Sequence, residues 1–167
     1  MRAFRFDVPS TLRRDAAVRC AGCGLVIVGG GDACQGLFER EMGREYSDYR
    51  FARHHRTVVD IYALQHPDRY CASAKSFAAH LTGLCAAIEA PGHPTLLRDL
   101  QQWLSHPRQL ARPVPPTDRG AVTIADVLAV DEPDAHAATV EGWARSTWTA
   151  YRPLHGVARE WVARVPR

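Results

Sequence analysis

Apolar residues along most of this chain recur at helical spacing. Leu37, Phe38, Met42 and Tyr46 form one stripe, which predicts a helix over 33–46 with Asp32 as its N-cap. Phe51, His55, Val58, Val59, Tyr62 and His66 share one face of a second helix over 49–65, started by Ser47 or Asp48 and closed by Pro67. The link between the two is short, so they are expected to run antiparallel. Phe77, Leu81, Leu84 and Ile88 mark a third helix over 73–89, with His80 inside its stripe. Leu96, Leu97, Leu100, Trp103 and Leu104 mark a fourth over 95–105. Residues 106–120 hold Pro107, Pro113, Pro115 and Pro116 and read as an extended lid or strap.

Beyond it, Thr123-x-x-Asp126 is a capping box for a short helix ending near Ala129. Asp131-Glu132-Pro133 opens the last long helix, carrying Val140, Ala144, Trp148, Tyr151, Leu154, Ala158, Trp161 and Val162, which Pro153 should kink or break. The expectation is an all-α bundle of about five to seven helices.

The N-terminal part is different. Phe4, Phe6 and Val8 alternate with charged residues like a short edge strand that Pro9 and Ser10 interrupt. Cys20-Ala-Gly-Cys23-Gly forms a zinc-knuckle-like turn, in which Gly22 and Gly24 give the backbone freedom to fold two thiolates onto one ion. A short β-branched run, Leu25 to Val28, is closed by Gly29, Gly30 and Gly31. That triple glycine is a turn and not a phosphate loop, because neither Gly-Lys-Ser/Thr nor a spaced G-x-G-x-x-G follows. With 167 residues the chain reads as one domain over 1–167: knuckle segment 1–33, helical hairpins 34–105, Pro-rich loop 106–120, C-terminal helices 121–167.

Composition narrows the function classes. A net charge of +3 with no Lys/Arg cluster argues against nucleic acid. Met1-Arg2-Ala3-Phe4-Arg5-Phe6 is charged and no apolar run is long enough to span a membrane, so a cytoplasmic location is expected. Five cysteines in a reducing compartment point to metal ligation or burial rather than disulfides.

The metal reading centres on Cys20, Cys23 and Cys34, with His66 as fourth donor and His55 or His80 as alternatives. Cys34 opens the first helix, where the dipole and free amides favour a thiolate. His66 returns to that level if the second helix is antiparallel. His55 lies three turns away, roughly 16 Å at 1.5 Å per residue, so one ion cannot take both. Sulfur and imidazole donors favour zinc over magnesium or calcium. A second constellation gathers His55, Asp60, Tyr62 and His80 as acid–base groups, as ligands of an open-site metal, or as a buried polar network. His136 and His155 could face one pocket. Cys71 and Cys85, and the four tryptophans, read as packing residues.

Several motifs recur together in order: Cys20-x-x-Cys23-Gly, Ala33-Cys34-x-x-Leu37-Phe38-x-Arg40-Glu41, His55-Arg56-x-x-Val59-Asp60-x-Tyr62-Ala63-x-Gln65-His66-Pro67 and Ala79-His80-Leu81-x-Gly83-Leu84. Thr123-Ile124-Ala125-Asp126-Val127, His136, Trp143-Ala144, Trp148, His155 and Trp161 complete the series. Over about residues 18–164 the chain resembles the bacterial family called domain of unknown function 5946. The resemblance implies a bacterial soluble protein with these Cys and His positions as its signature, and no activity. A looser likeness to DinB-type metal-binding bundles is one of fold alone.

Two functions follow as expectations. One is a small zinc protein with a structural Cys3His site and a His/Asp/aromatic pocket for a protein partner or small ligand. The other is a metal-dependent enzyme doing acid–base or hydrolytic chemistry on a small molecule with His55, Asp60 and His80. Four protein ligands would mark a closed structural site, three plus water a catalytic one.

Overall fold

The structure is a computed structural model that describes residues 16–166. The alternating Phe4–Val8 segment lies outside those residues. Two short strands, β1 (Ala17–Arg19) and β2 (Val26–Val28), pair antiparallel in the register Ala17 to Val28, Val18 to Ile27 and Arg19 to Val26. Eight helices follow among the described residues: α1 (Gly30–Ser47), α2 (His55–Gln65), α3 (Pro67–Tyr70), α4 (Ala74–Glu89), α5 (Leu96–Ser105), α6 (Ile124–Leu128), α7 (Pro133–Ala150) and α8 (His155–Ala163). The expected all-α bundle with a small N-terminal knuckle is what forms. None of these helices is long and apolar enough to cross a membrane.

Helix α2 is the central element, packed against α4 and α7, while α4 also meets α5 and α8. Val58 and every residue from Asp60 to Gln65 are buried, so α2 is covered on nearly all sides. A single apolar face was too narrow a description, because a helix enclosed by neighbours has no solvent side to betray it. Its antiparallel course against α1 is visible in three side-chain meetings: Glu45 with His55, Phe38 with Tyr62, and Cys34 with His66.

Several boundaries differ from the sequence expectation. Helix α1 begins at Gly30, with Gly29 capping it at φ 90°, so Asp32 sits in the first turn beside the positive helix end. Cys34 therefore lies one turn inside the helix and does not open it. Asp48 terminates α1, and its Oδ1 takes the Arg50 amide at 3.1 Å. A 3-10 turn over Ala52–His54 delays α2 to His55. The break expected at Pro153 occurs as a second 3-10 turn, Arg152–Leu154, which separates α7 from α8. Asp126 accepts the Thr123 amide at 2.7 Å and opens α6, and Glu132 accepts the Asp134 and Ala135 amides to open α7.

The Pro-rich stretch is a strap tied down by polar groups. Arg112 donates to the Cys71 carbonyl at 2.6 Å, and buried Gln65 donates to the Arg119 and Val122 carbonyls at 3.0 and 2.9 Å. Below it, Phe77, Leu81, Leu84, Trp143 and Tyr151 are fully buried. The Tyr151 hydroxyl donates to the Leu64 carbonyl at 2.5 Å, satisfying a main-chain acceptor at the end of α2 that no helical amide reaches. Tyr151→Phe keeps the shape and strands that carbonyl. It is expected to cost about 1–3 kcal/mol in urea unfolding.

Candidate metal centre

The turn between β1 and β2 carries the first two thiols. It closes through the Cys20 amide on Leu25 O at 2.7 Å and the Gly24 amide on Cys20 O at 3.0 Å. Gly24 takes φ 80°, a left-handed conformation that a side chain disfavours. Gly22 is required for another reason. A Cβ there would stand 2.1 Å from His66 Cδ2 and 2.9 Å from Gln65 O, so only glycine lets the turn rest on the end of α2.

Four donors converge at that contact. Cys20 Sγ lies 3.4 Å from His66 Nε2, Cys34 Sγ lies 3.5 Å from the same nitrogen, and Cys23 Sγ lies 3.6 Å from Cys34 Sγ. All four donor atoms fall within 4.8 Å of one another. A tetrahedral ion with sulfur at about 2.3 Å and nitrogen at about 2.0–2.1 Å sets donor–donor edges of about 3.6–3.8 Å, close to these values. Cys20, Cys23 and Cys34 are 3 %, 8 % and 0 % exposed, so the sulfurs are shielded from bulk water, while His66 is half-buried. The group can hold a metal ion.

The surroundings prepare the donors. His66 Nδ1 donates to the Tyr62 carbonyl at 2.8 Å, which leaves the Nε2 lone pair turned toward the sulfurs. The Tyr62 ring stacks on His66 with centroids 4.0 Å apart and on Phe38 at 4.0 Å, and its hydroxyl lies 3.7 Å from Cys34 Sγ. Gln35 takes the Tyr62 and Tyr70 hydroxyls on its Oε1. The Cys23 and Cys34 thiols shift in opposite directions. Donating to Cys34, together with burial, pushes the Cys23 thiol up to about 12, while accepting that bond holds Cys34 below the ordinary thiol value. Burial, with the neighbouring Cys34, raises the Tyr62 phenol, so it stays a hydroxyl beside the sulfurs.

The site stands on the carboxyl end of α2, where the His66 amide is shared between Tyr62 O and Ala63 O at 3.1 Å and no main-chain amide reaches Leu64 O or Gln65 O. Side chains complete the set: Tyr62 O also accepts from the His66 ring and Ala63 O from Cys71 Sγ at 3.5 Å, while Leu64 O accepts from Tyr151 and Gln65 O from Arg119 Nη1 at 3.1 Å. Arg119 Nη1 also reaches Gly22 O at 3.3 Å, joining the strap to the knuckle. Neither Arg119 nor Gln65 stands out in the sequence. Their roles depend on main-chain groups that meet only in the fold, and a buried Gln after an apolar run was the one available signal.

The second constellation does not assemble as one unit. His55 pairs with buried Glu45 at 2.5 Å at the opposite end of α2 and is largely exposed. Burial raises the Glu45 carboxyl, and His55 opposes that shift. Tyr62 belongs to the sulfur cluster. Asp60 and His80 do meet, with Nδ1 to Oδ1 at 2.8 Å, and Arg56 Nε takes the other oxygen of Asp60 at 2.8 Å. Asp60 fits because residue 83 is glycine; a Cβ there would lie 2.0 Å from Asp60 Oδ2. His136 and His155 have separate partners, Glu41 Oε1 at 2.7 Å and the Trp148 carbonyl at 2.8 Å. Neither His55 nor His80 is among the four converging donors. Cys71 and Cys85 are packing residues, with thiols pushed up by burial to about 12 and about 11.

The family model described as a family of unknown function, DUF5946, matches residues 18–152. That span contains all four converging donors. No curated protein and no solved structure matches the chain.

Glycine substitutions separate close approach from mere flexibility. Gly22→Ala is expected to cost about 1–3 kcal/mol through overpacking against His66 and Gln65. Gly36→Ala, in open space within α1, is expected to stabilise by about 0.5–1 kcal/mol. Urea unfolding of the two variants checks both signs.

Proposed function

This chain belongs to the DUF5946 family, and for it we propose a small zinc protein whose Cys20/Cys23/Cys34/His66 site is structural, clamping the knuckle to the bundle so that the bundle can present a ligand groove. The observation that carries this is the convergence of three buried thiols and a half-buried imidazole within 4.8 Å of one another. Four protein ligands complete a zinc shell and leave no position for a reacting water. Three thiolates and an imidazole suit zinc better than oxygen-seeking cations. A cation at this point also meets the negative end of the α2 dipole.

The groove lies between α4 and α5, has a volume of about 460 Å³, and is lined by Arg56, Lys75, His80, Leu97, Leu100 and Leu104 among others. Its size is that of a small-molecule site.

A second reading, acid–base chemistry in this groove, is favoured by one observation. The Asp60 carboxylate orients His80 while Nε2 has no hydrogen-bond partner among the described residues. His55 takes no part in it, because it pairs with Glu45 elsewhere. Under that reading His80→Gln, whose amide can still donate to Asp60, abolishes turnover with a melting temperature near that of the parent, while His55→Ala leaves turnover intact and lowers the melting temperature by removing the partner of buried Glu45.

The structural zinc reading is tested by elemental analysis of purified protein, expected to give one zinc per chain. Chelation, and Cys23→Ser, are expected to lower the melting temperature by at least 10 °C, since the binding free energy of such a site is folding free energy. Absence of a stoichiometric transition metal overturns it.

A further inference from the structure

The lining of the α4/α5 groove is chemically one-sided. Arg56 and Lys75 bring positive charge, His80 brings an imidazole, and no acidic side chain lines the cavity. The nearby carboxylate, Asp60, is fully buried beneath it and already committed, one oxygen to His80 and the other to Arg56. That arrangement fixes both heads. Arg56 Nη2 reaches the Ala79 carbonyl at 3.3 Å, and its Nη1 has no hydrogen-bond partner among the described residues. His80 is held by Nδ1 and keeps Nε2 for whatever enters, as acceptor when neutral and as donor when protonated.

Helix α5 supplies the apolar part of the lining, beside Gln101 and Ser105. Leu97, Leu100 and Leu104 come from α5, and Leu97 is 44 % exposed although it is a large aliphatic residue. An exposed leucine beside buried ones in a concave wall is covered when a ligand tail lies on it. Charge-assisted bonds from Arg and Lys select an oxyanion at the other end.

We propose that this groove binds a small amphipathic oxyanion, a carboxylate or phosphate monoester carrying an aliphatic tail, with its head at Arg56, Lys75 and His80 and its tail along α5. The assignment rests on the groove being a ligand site, as in the function given above, and adds the class of ligand.

Calorimetric titration of the full, metal-loaded chain with octanoate, octyl phosphate, octanol and octylammonium at low ionic strength tests it. The result expected is saturable 1:1 binding of octanoate or octyl phosphate, at least tenfold tighter than octanol or octylammonium; the comparison of the two anions identifies the preferred head. Gln101→Trp, which fills the groove from an exposed position on α5, should abolish binding. Lys75→Met should weaken it at least tenfold. Arg56→Met should do the same, and because it also removes a partner of buried Asp60, Lys75→Met keeps the test decisive if that variant fails to fold. If octanol binds as tightly as the anions, the oxyanion assignment is overturned while a ligand groove survives; if Lys75→Met and Gln101→Trp leave anion binding unchanged, the anions bind elsewhere and the assignment to this groove is overturned. If none of the four probes binds, the groove falls with it, and the zinc content of the same samples reports separately on the metal site.

Discussion

The buried carboxyl end of α2 is the constraint around which this molecule is arranged. A helix that stops inside a protein leaves carbonyl groups that water cannot reach, and each must be given a donor. The His66 amide serves two of them, and the side chains of His66, Cys71, Arg119 and Tyr151, from three separate parts of the chain, complete the set. The same hydrogen bond that satisfies Tyr62 O also turns the His66 ring so that Nε2 faces three sulfurs. Termination of the central helix and assembly of the donor cluster are thus one structural event. The strap contributes Arg119 to this end, bridging Gln65 O and the knuckle's Gly22 O.

Glycine is used twice in the same way. Gly22 lets a turn lie against His66, and Gly83 lets the Asp60 carboxylate press into α4. In both places a missing Cβ admits an ionisable group against another element, where its orientation is decided by contact. Asp60 is stable in that position because it is paired on both oxygens, which is the condition for burying a carboxylate. Glu41 follows the same rule. It is fully buried, with His136 on one oxygen and Arg44 on the other. Both ion groups link helices distant in sequence, so they specify packing as well as polarity. Among the described residues the Asp60 group reaches the α4/α5 groove through Arg56 and His80, which is why the candidate ligand chemistry falls there.

The periodicity of Phe77, Leu81, Leu84 and Ile88, the capping pattern at Thr123 and Asp126, and the proline at 153 were enough to read an all-α chain with its breaks nearly in place, because each depends on local spacing. The knuckle and its partners Cys34 and His66 were legible for a similar reason. Thiol and imidazole donors are scarce, and an antiparallel hairpin of known rise returns residue 66 to residue 34. Helix α1 starts earlier than Asp32 suggests, because Gly29 takes a left-handed conformation at the N-cap and leaves Asp32 inside the first turn. Strand β1 gave no signal in Ala17-Val18-Arg19 and exists through pairing with β2.

What the chain determined by itself was the kind of element at each stretch and the identity of the cluster's donors, since propensity, caps and donor type are properties of neighbouring residues. Which polar groups share a site was decided only in three dimensions. His55 and His80 lie on comparable helical faces, yet one meets Glu45 at the surface and the other meets Asp60 beneath a groove. Arg119 acquires its role because two carbonyls, of Gly22 and Gln65, come together far from it in sequence. Such partners are chosen by the packing of helices around α2, and that packing is a property of the whole core.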